Sequence, residues 1–175
     1  MASHPSPDTE LAASIAALRD LDYAGPALNG QHLVPGLFFS LDPAVANTVD
    51  VQSRPGELMD FRLKVDRPGA WLTLNMGVGS ASFAACKIVG FACRLEAAAP
   101  ATFRVCLRSG EAAGFRDVFF AKTVVAGPQT AVHLDVLEIA TNPDILPDAV
   151  WRELVLFFPP HSCEINLRDF RLIVI

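Results

Sequence analysis

From residue 37 onward the chain alternates between apolar and polar residues, and a period of two predicts strands. The clearest stretch is 58–65. Met59, Phe61, Leu63 and Val65 form one face, and Asp60, Arg62 and Lys64 form the other. That pattern marks a strand with one face in a core and one in water. The stretch 71–78 repeats it, with Leu72, Leu74 and Met76 opposite Trp71, Thr73 and Asn75. Further strands are predicted over 87–97, 102–108, 115–125, 131–137, 150–158 and 164–175, with shorter ones at 37–41 and 48–52. Turn chemistry separates them: Asp66-Arg67-Pro68-Gly69, Ala99-Pro100, Ser109-Gly110, Gly127-Pro128, Asn142-Pro143 and Pro159-Pro160. About eight to ten short strands with closely spaced turns, and no useful helix among them, predict an all-β antiparallel sandwich of the jelly-roll type.

The first 36 residues read differently. Residues 1–9 are rich in Ser, Pro and His and are expected to form a disordered tail. Asp8 or Thr9 suits the N-cap of a short Ala-rich helix reaching about Leu21, with Leu11, Ile15 and Leu18 on one face. Gly25-Pro26, Asn29-Gly30 and Pro35-Gly36 then predict an irregular connection. The expected organisation is therefore a tail, helix and connection over 1–36 and one sandwich domain over 37–175.

Charge sharpens this division. The net charge is -5, and it is confined to residues 1–50, where Arg19 faces Asp8, Glu10, Asp20, Asp22, Asp42 and Asp50; the remainder is balanced. Without a basic excess, nucleic-acid binding is not expected. No apolar run has the length of a membrane span. With no leader-like segment at the start, a cytoplasmic location is expected, with surface or particle display as an alternative. Cys86, Cys93, Cys106 and Cys163 lie in apolar stretches and fit no zinc frame, so reduced buried thiols are expected. One disulfide between Cys93 and Cys106 across a hairpin remains open.

Motifs for catalysis are sparse. There is no Gly-x-Ser-x-Gly, His4, His32, His133 and His161 are scattered, and Gly77-Val78-Gly79 lacks a following helix. His161, Cys163 and Glu164 give only a weak metal-binding hint. Asp60, Asp117, Asp135, Glu153 and Asp169 read as wet-face or ion-paired positions. No cofactor is expected. Arginine is more informative, at 11 residues against three Lys. Arg94, Arg104, Arg108 and Arg116 fall on three consecutive predicted strands, and Arg104 and Arg108 share a parity. If Arg94 and Arg116 join their face, the result is a guanidinium patch with Asp117 at its edge. Such donors suit hydroxyls and carboxylates. Trp71 offers a stacking platform for a pyranose ring, and Asn75, on the same strand face, offers a partner for vicinal hydroxyls.

The stretch from Trp71 to Ile175 resembles a carbohydrate-binding-module jelly roll of the galactose-binding-like kind. The resemblance rests on the strand pair Val89-Gly90-Phe91-Ala92-Cys93-Arg94-Leu95 and Thr102-Phe103-Arg104-Val105-Cys106-Leu107-Arg108. A Phe-rich strand follows, then Trp151-Arg152-Glu153-Leu154-Val155-Leu156-Phe157-Phe158, and the closing Asn166-Leu167-Arg168-Asp169-Phe170-Arg171-Leu172. It implies a non-catalytic, lectin-like module for a poly- or oligosaccharide. Many such modules carry a structural Ca2+ in an acidic cluster; none matches here, so calcium is not carried over. The expected ligand site is Trp71, Asn75, Arg94, Arg104, Arg108, Arg116 and Asp117. The alternative is a structural or attachment protein that forms oligomers or takes a protein partner through its N-terminal segment. A polysaccharide-active enzyme dependent on His133 or Asp117 ranks third.

Overall fold

The computed structural model describes residues 8–175; the expected tail lies almost wholly outside them. Helix α1 (Thr9–Asp20) precedes thirteen strands: β1 (Tyr23–Pro26), β2 (His32–Val34), β3 (Leu37–Leu41), β4 (Thr48–Ser53), β5 (Met59–Lys64), β6 (Leu72–Gly77), β7 (Ile88–Glu96), β8 (Ala101–Glu111), β9 (Gly114–Phe119), β10 (Val124–Ala126), β11 (Ala131–Glu138), β12 (Arg152–Phe157) and β13 (Cys163–Val174). Six form one sheet in the order β1-β4-β5-β13-β7-β11. Seven form the other, in the order β10-β8-β12-β6-β3-β2, with β9 also pairing with β8. Every pairing is antiparallel. The fold is an all-β jelly-roll sandwich with one short helix.

The alternation read from the sequence places the core. Phe61 and Leu63 from one sheet meet Phe39, Leu74, Phe103 and Leu156 from the other, all buried. Phe61 lies 5.5 Å from Phe39 and 5.4 Å from Phe158 between ring centroids, tilted arrangements that suit the aromatic quadrupole. The final strand is central rather than peripheral, since β13 pairs with both β5 and β7.

Four expectations change. The connection over 23–36 contains β1 and β2, and they enter opposite sheets. The stretch 115–125 is two strands, because the chain leaves the edge of β8 at Phe120, which is buried, and returns as β10. Asp8 sits at the N-cap, but its side chain makes no capping bond. Lastly, β7 and β8 are not a hairpin: β7 belongs to the six-stranded sheet and β8 to the seven-stranded one. The short link between them, with Ala97 and Ala101 buried, crosses from sheet to sheet. Cys93 and Cys106 are therefore on different sheets, and all four thiols are free.

Helix α1 is part of this body. Leu11, Ile15 and Leu18 enter the core. Gly56 donates its N–H to Arg19 O at 2.8 Å, Ser53 Oγ donates to Leu18 O at 3.0 Å, and Arg19 reaches Asp169 at 2.7 Å. The first contact serves a carbonyl at the helix end, and Leu18 O accepts the Ser53 hydroxyl beside the Leu21 N–H at 3.2 Å. A helix held this way is docked on the sandwich.

Candidate functional site

The outer faces of the two sheets differ in chemistry. On the six-stranded sheet, charged side chains pair with one another: Arg62 with Glu164, Lys64 with Asp50, and Arg168 with Asp60 and Glu96. Its edge strand β11 exposes Val132, Leu134 and Val136. The seven-stranded sheet instead presents a field of aromatic and polar side chains that the strand registers arrange in rows. Ser40, Thr73, Phe157 and Arg104 are adjacent on β3, β6, β12 and β8. The next row holds Phe38, Asn75, Val155, Cys106 and Phe119. Beyond it come Glu153, Arg108 and Asp117, then Trp151, Gly110 and Phe115. Trp71 precedes β6 and stands at the other end.

The centre of this field is low and closed. Thr73 and Asn75 are each 4% exposed, and Val155 and Cys106 are fully buried, although all four point away from the core. Longer neighbours close over them and leave a floor below a rim. The floor's polar groups are mutually satisfied, as burial requires. Thr73 Oγ1 donates to Asn75 Oδ1 at 2.7 Å, and Asn75 Nδ2 donates to Glu153 Oε2 at 2.9 Å. Burial pushes the Cys106 thiol up to about 12, with Asp117 adding to the shift, so it stays protonated and acts as an apolar floor residue.

The rim is aromatic and cationic. Arg108 Nε and Nη2 donate to the two oxygens of Asp117, both at 2.7 Å, and this contact raises the Arg108 pKa. The Arg108 guanidinium lies 4.0 Å from the Phe115 ring centroid, and that of Arg104 lies 4.4 Å from Phe119, both within cation–π range. Phe119 and Phe157 are 5.4 Å apart. Trp71 donates Nε1–H to Ser40 Oγ at 3.0 Å, which fixes an indole that is 40% exposed. Trp151 packs directly over Gly110, where a Cβ would fall 2.2 Å from the ring; only glycine lets the indole lie this low.

Five of the seven expected site residues, Trp71, Asn75, Arg104, Arg108 and Asp117, thus share one face. Two do not. Arg94 is on β7 and faces outward from the six-stranded sheet, opposite Val132. Arg116 opposes Ser109 and so points to the other side of β9 from Asp117, where it donates to Glu111 at 3.0 Å and lies 3.7 Å from Asp144. His133 and Asp117 lie on different sheets. His133 stacks on Phe91 at 5.5 Å, and burial lowers its pKa. Asp135 is buried and accepts the Lys122 N–H at 2.7 Å, so it is not a wet-face acid. Among the described residues no group of three or more His, Cys, Asp or Glu gathers as metal ligands, and no helix is long and apolar enough to cross a membrane.

Sequence reasoning does not single out Trp151, Phe115, Phe119, Phe157 and Glu153 as members of this face. Their signal is nevertheless there: the positions alternate on β9 and β12 as Trp71, Thr73 and Asn75 do on β6. It also passes over Arg152, which is 1% exposed and directed into one end of the sandwich. Arg152 donates to the carbonyls of Ala81 at 2.5 Å, Leu146 at 2.8 Å and Pro147 at 2.7 Å, and stacks 4.0 Å from Phe83. It joins the loops over 78–87 and 142–151 below the Trp151 end of the face.

No family model matches the sequence, and no curated protein matches it. Solved structures do match in fold. A carbohydrate-binding module of family 4 aligns at a TM-score of 0.59 and 15% identity, over 86% of this chain and 94% of that one. A family 11 module from Clostridium thermocellum, in complex with a beta-1,3-1,4-mixed-linked tetrasaccharide, aligns at 0.56 and 9%, over 87% and 97%. The CBM22-1 xylan-binding domain of Paenibacillus barcinonensis aligns at 0.53 and 12%, over 88% and 97%. The chain therefore has the β-sandwich fold of carbohydrate-binding modules.

Proposed function

We propose that this protein is a non-catalytic carbohydrate-binding module that holds a poly- or oligosaccharide on the outer face of the seven-stranded sheet. One observation carries the reading: exposed aromatic rings surround a buried, hydrogen-bonded polar floor on a single sheet face. Sugar rings present apolar C–H faces and polar edges, and this face offers both kinds of partner. Trp71 and Trp151 mark opposite ends, so a ligand touching both spans several sugar units. Because Trp71, Trp151 and Arg108 are already held by neighbours, binding orders few side chains, which limits the entropic cost. Glu153 and Asp117 are each engaged by a partner on the floor or rim, an arrangement suited to positioning rather than proton transfer.

The test is calorimetry of the full chain with xylan and mixed-linked β-glucan oligosaccharides, the ligand types named for two of the similar structures, together with acidic polysaccharides. Saturable binding is expected. Trp71→Ala and Trp151→Ala should each weaken it by about 1–3 kcal/mol, the range of an interfacial aromatic anchor. If no glycan in that panel binds, or if both variants bind as tightly as the parent, the assignment to this face fails.

A further inference from the structure

Among the described residues, Arg104 is a cation of this rim without a carboxylate partner. Arg108 is neutralised by Asp117, and the charged side chains of the opposite sheet are extensively paired. Arg104 is exposed, and among the described residues no carboxylate lies within ion-pair distance of it. Its guanidinium lies against Phe119, so the ring occupies one face and the in-plane N–H edge remains free. Beside it is a hollow of about 430 Å³ bounded by Thr102, Phe119, Thr123, Phe157 and Pro159, with no acid in its lining. The acids of this face are distant. Asp117 stands opposite Arg108, four residues along β8 from Arg104, or about 13 Å at the rise of a strand. Glu153 is in the same row as Asp117.

We infer that this hollow seats the carboxylate of a uronic acid unit within the bound glycan. The inference rests on the carbohydrate reading above and adds the class of sugar at one position. A free in-plane guanidinium edge matches a planar carboxylate with two parallel N–H···O bonds, a geometry that a single hydroxyl cannot fill. Phe157 and Phe119 provide the apolar wall for the sugar ring, and the Thr102 and Thr123 hydroxyls are available to its polar edge. Stacking on Phe119 also holds the arginine in place before the ligand arrives, so less side-chain freedom is lost on binding.

The test compares acidic glycans with the same glycans after carboxyl reduction, using polygalacturonate oligosaccharides and glucuronic-acid-substituted xylan, beside unsubstituted xylan and a sulfated glycan. The acidic form of at least one pair should bind about tenfold more tightly than its reduced form, the scale of one charge-assisted contact. The preference should shrink as salt rises to about 0.5 M. Arg104→Met, which keeps an unbranched apolar side chain beside Phe119, should erase the preference, so that the acidic and reduced forms of a glycan bind alike, with the melting temperature shifted by no more than a few degrees. If neutral and acidic forms bind equally, or the preference survives in Arg104→Met, the uronate seat is wrong and the carbohydrate reading stands. If the sulfated glycan binds best, the seat is for a sulfate ester and the carboxylate assignment falls. If no glycan binds at all, both readings fall together.

Discussion

The Arg108–Asp117 pair fixes the geometry of the rim, and its strength follows from its surroundings. Two bonds of 2.7 Å join the guanidinium to the carboxylate in parallel. The two side chains are 20% and 23% exposed, so the pair lies between a surface ion pair, worth about 0.2–1 kcal/mol, and a buried one. Two charge-assisted bonds at the lower end of their range, about 1.5 kcal/mol each, would together give about 3 kcal/mol. Partial solvation and the entropy of holding a long side chain bring the expected coupling to about 1.5–2 kcal/mol. A double-mutant cycle of Arg108→Met, Asp117→Asn and the pair, read by urea unfolding, isolates that quantity. Methionine retains much of the apolar contact with Phe115, so the cycle separates charge pairing from packing. Each single variant should lower the melting temperature by about 3–8 °C, from about 2–4 °C per kcal/mol in a chain of this size. A coupling below about 0.5 kcal/mol would show that the pair is effectively solvated, and the picture of a rigid rim would have to be abandoned.

Other parts of the molecule are open to equally direct measurement. Glu96 accepts a bond from Thr130 Oγ1 and is paired with Arg168, and these contacts hold its pKa below the ordinary 4.5; its contribution is therefore present above that value and lost as pH falls through the lower folded one, so Glu96→Gln should flatten the acid limb of a stability-versus-pH curve. Gly110→Ala should lift the Trp151 indole, shifting tryptophan fluorescence to the red and weakening glycan binding, because a Cβ would stand 2.2 Å from the ring; unchanged emission would mean that the indole has another resting place. Burial pushes the Cys93 and Cys106 thiols up to about 12, so both should resist a thiol reagent at pH 8 in the native chain and react once it is unfolded.

How much of the face is legible in the sequence follows from what alternation encodes. Period two assigns residues to the two sides of a strand, so it correctly groups Trp71, just before β6, with Thr73 and Asn75 on it, and Arg104 with Arg108 on β8. It does not say which sheet a strand joins. The 97–100 link has the length of a hairpin turn yet crosses between sheets, burying Ala97 and leading into the buried Ala101, and no local turn residue marks that choice. Arg94 departs from the expected patch for this reason. Arg116 departs from it through register. Pairing Arg108 with Asp117 puts odd-numbered β9 residues beside even-numbered β8 residues, and the turn at 112–113 sets this offset. Phe119, Phe157 and Trp151 escape notice because a large apolar residue reads as core by default, whereas here the core and the outer face compete for aromatics. Arg152 shares a parity with Leu154 and Leu156, an anomaly that marks it as buried.

Arg152 has a consequence of its own. Three backbone carbonyls from two separate loops converge on one positive charge, the kind of acceptor set that a hard metal ion also attracts. Here the charge is covalently tethered to β12, so it cannot diffuse away, be chelated or be diluted out. The order of those loops is then set by the integrity of the sandwich and not by the ionic composition of the medium. The Trp151 end of the sheet face should keep its shape in calcium-rich and calcium-poor surroundings alike.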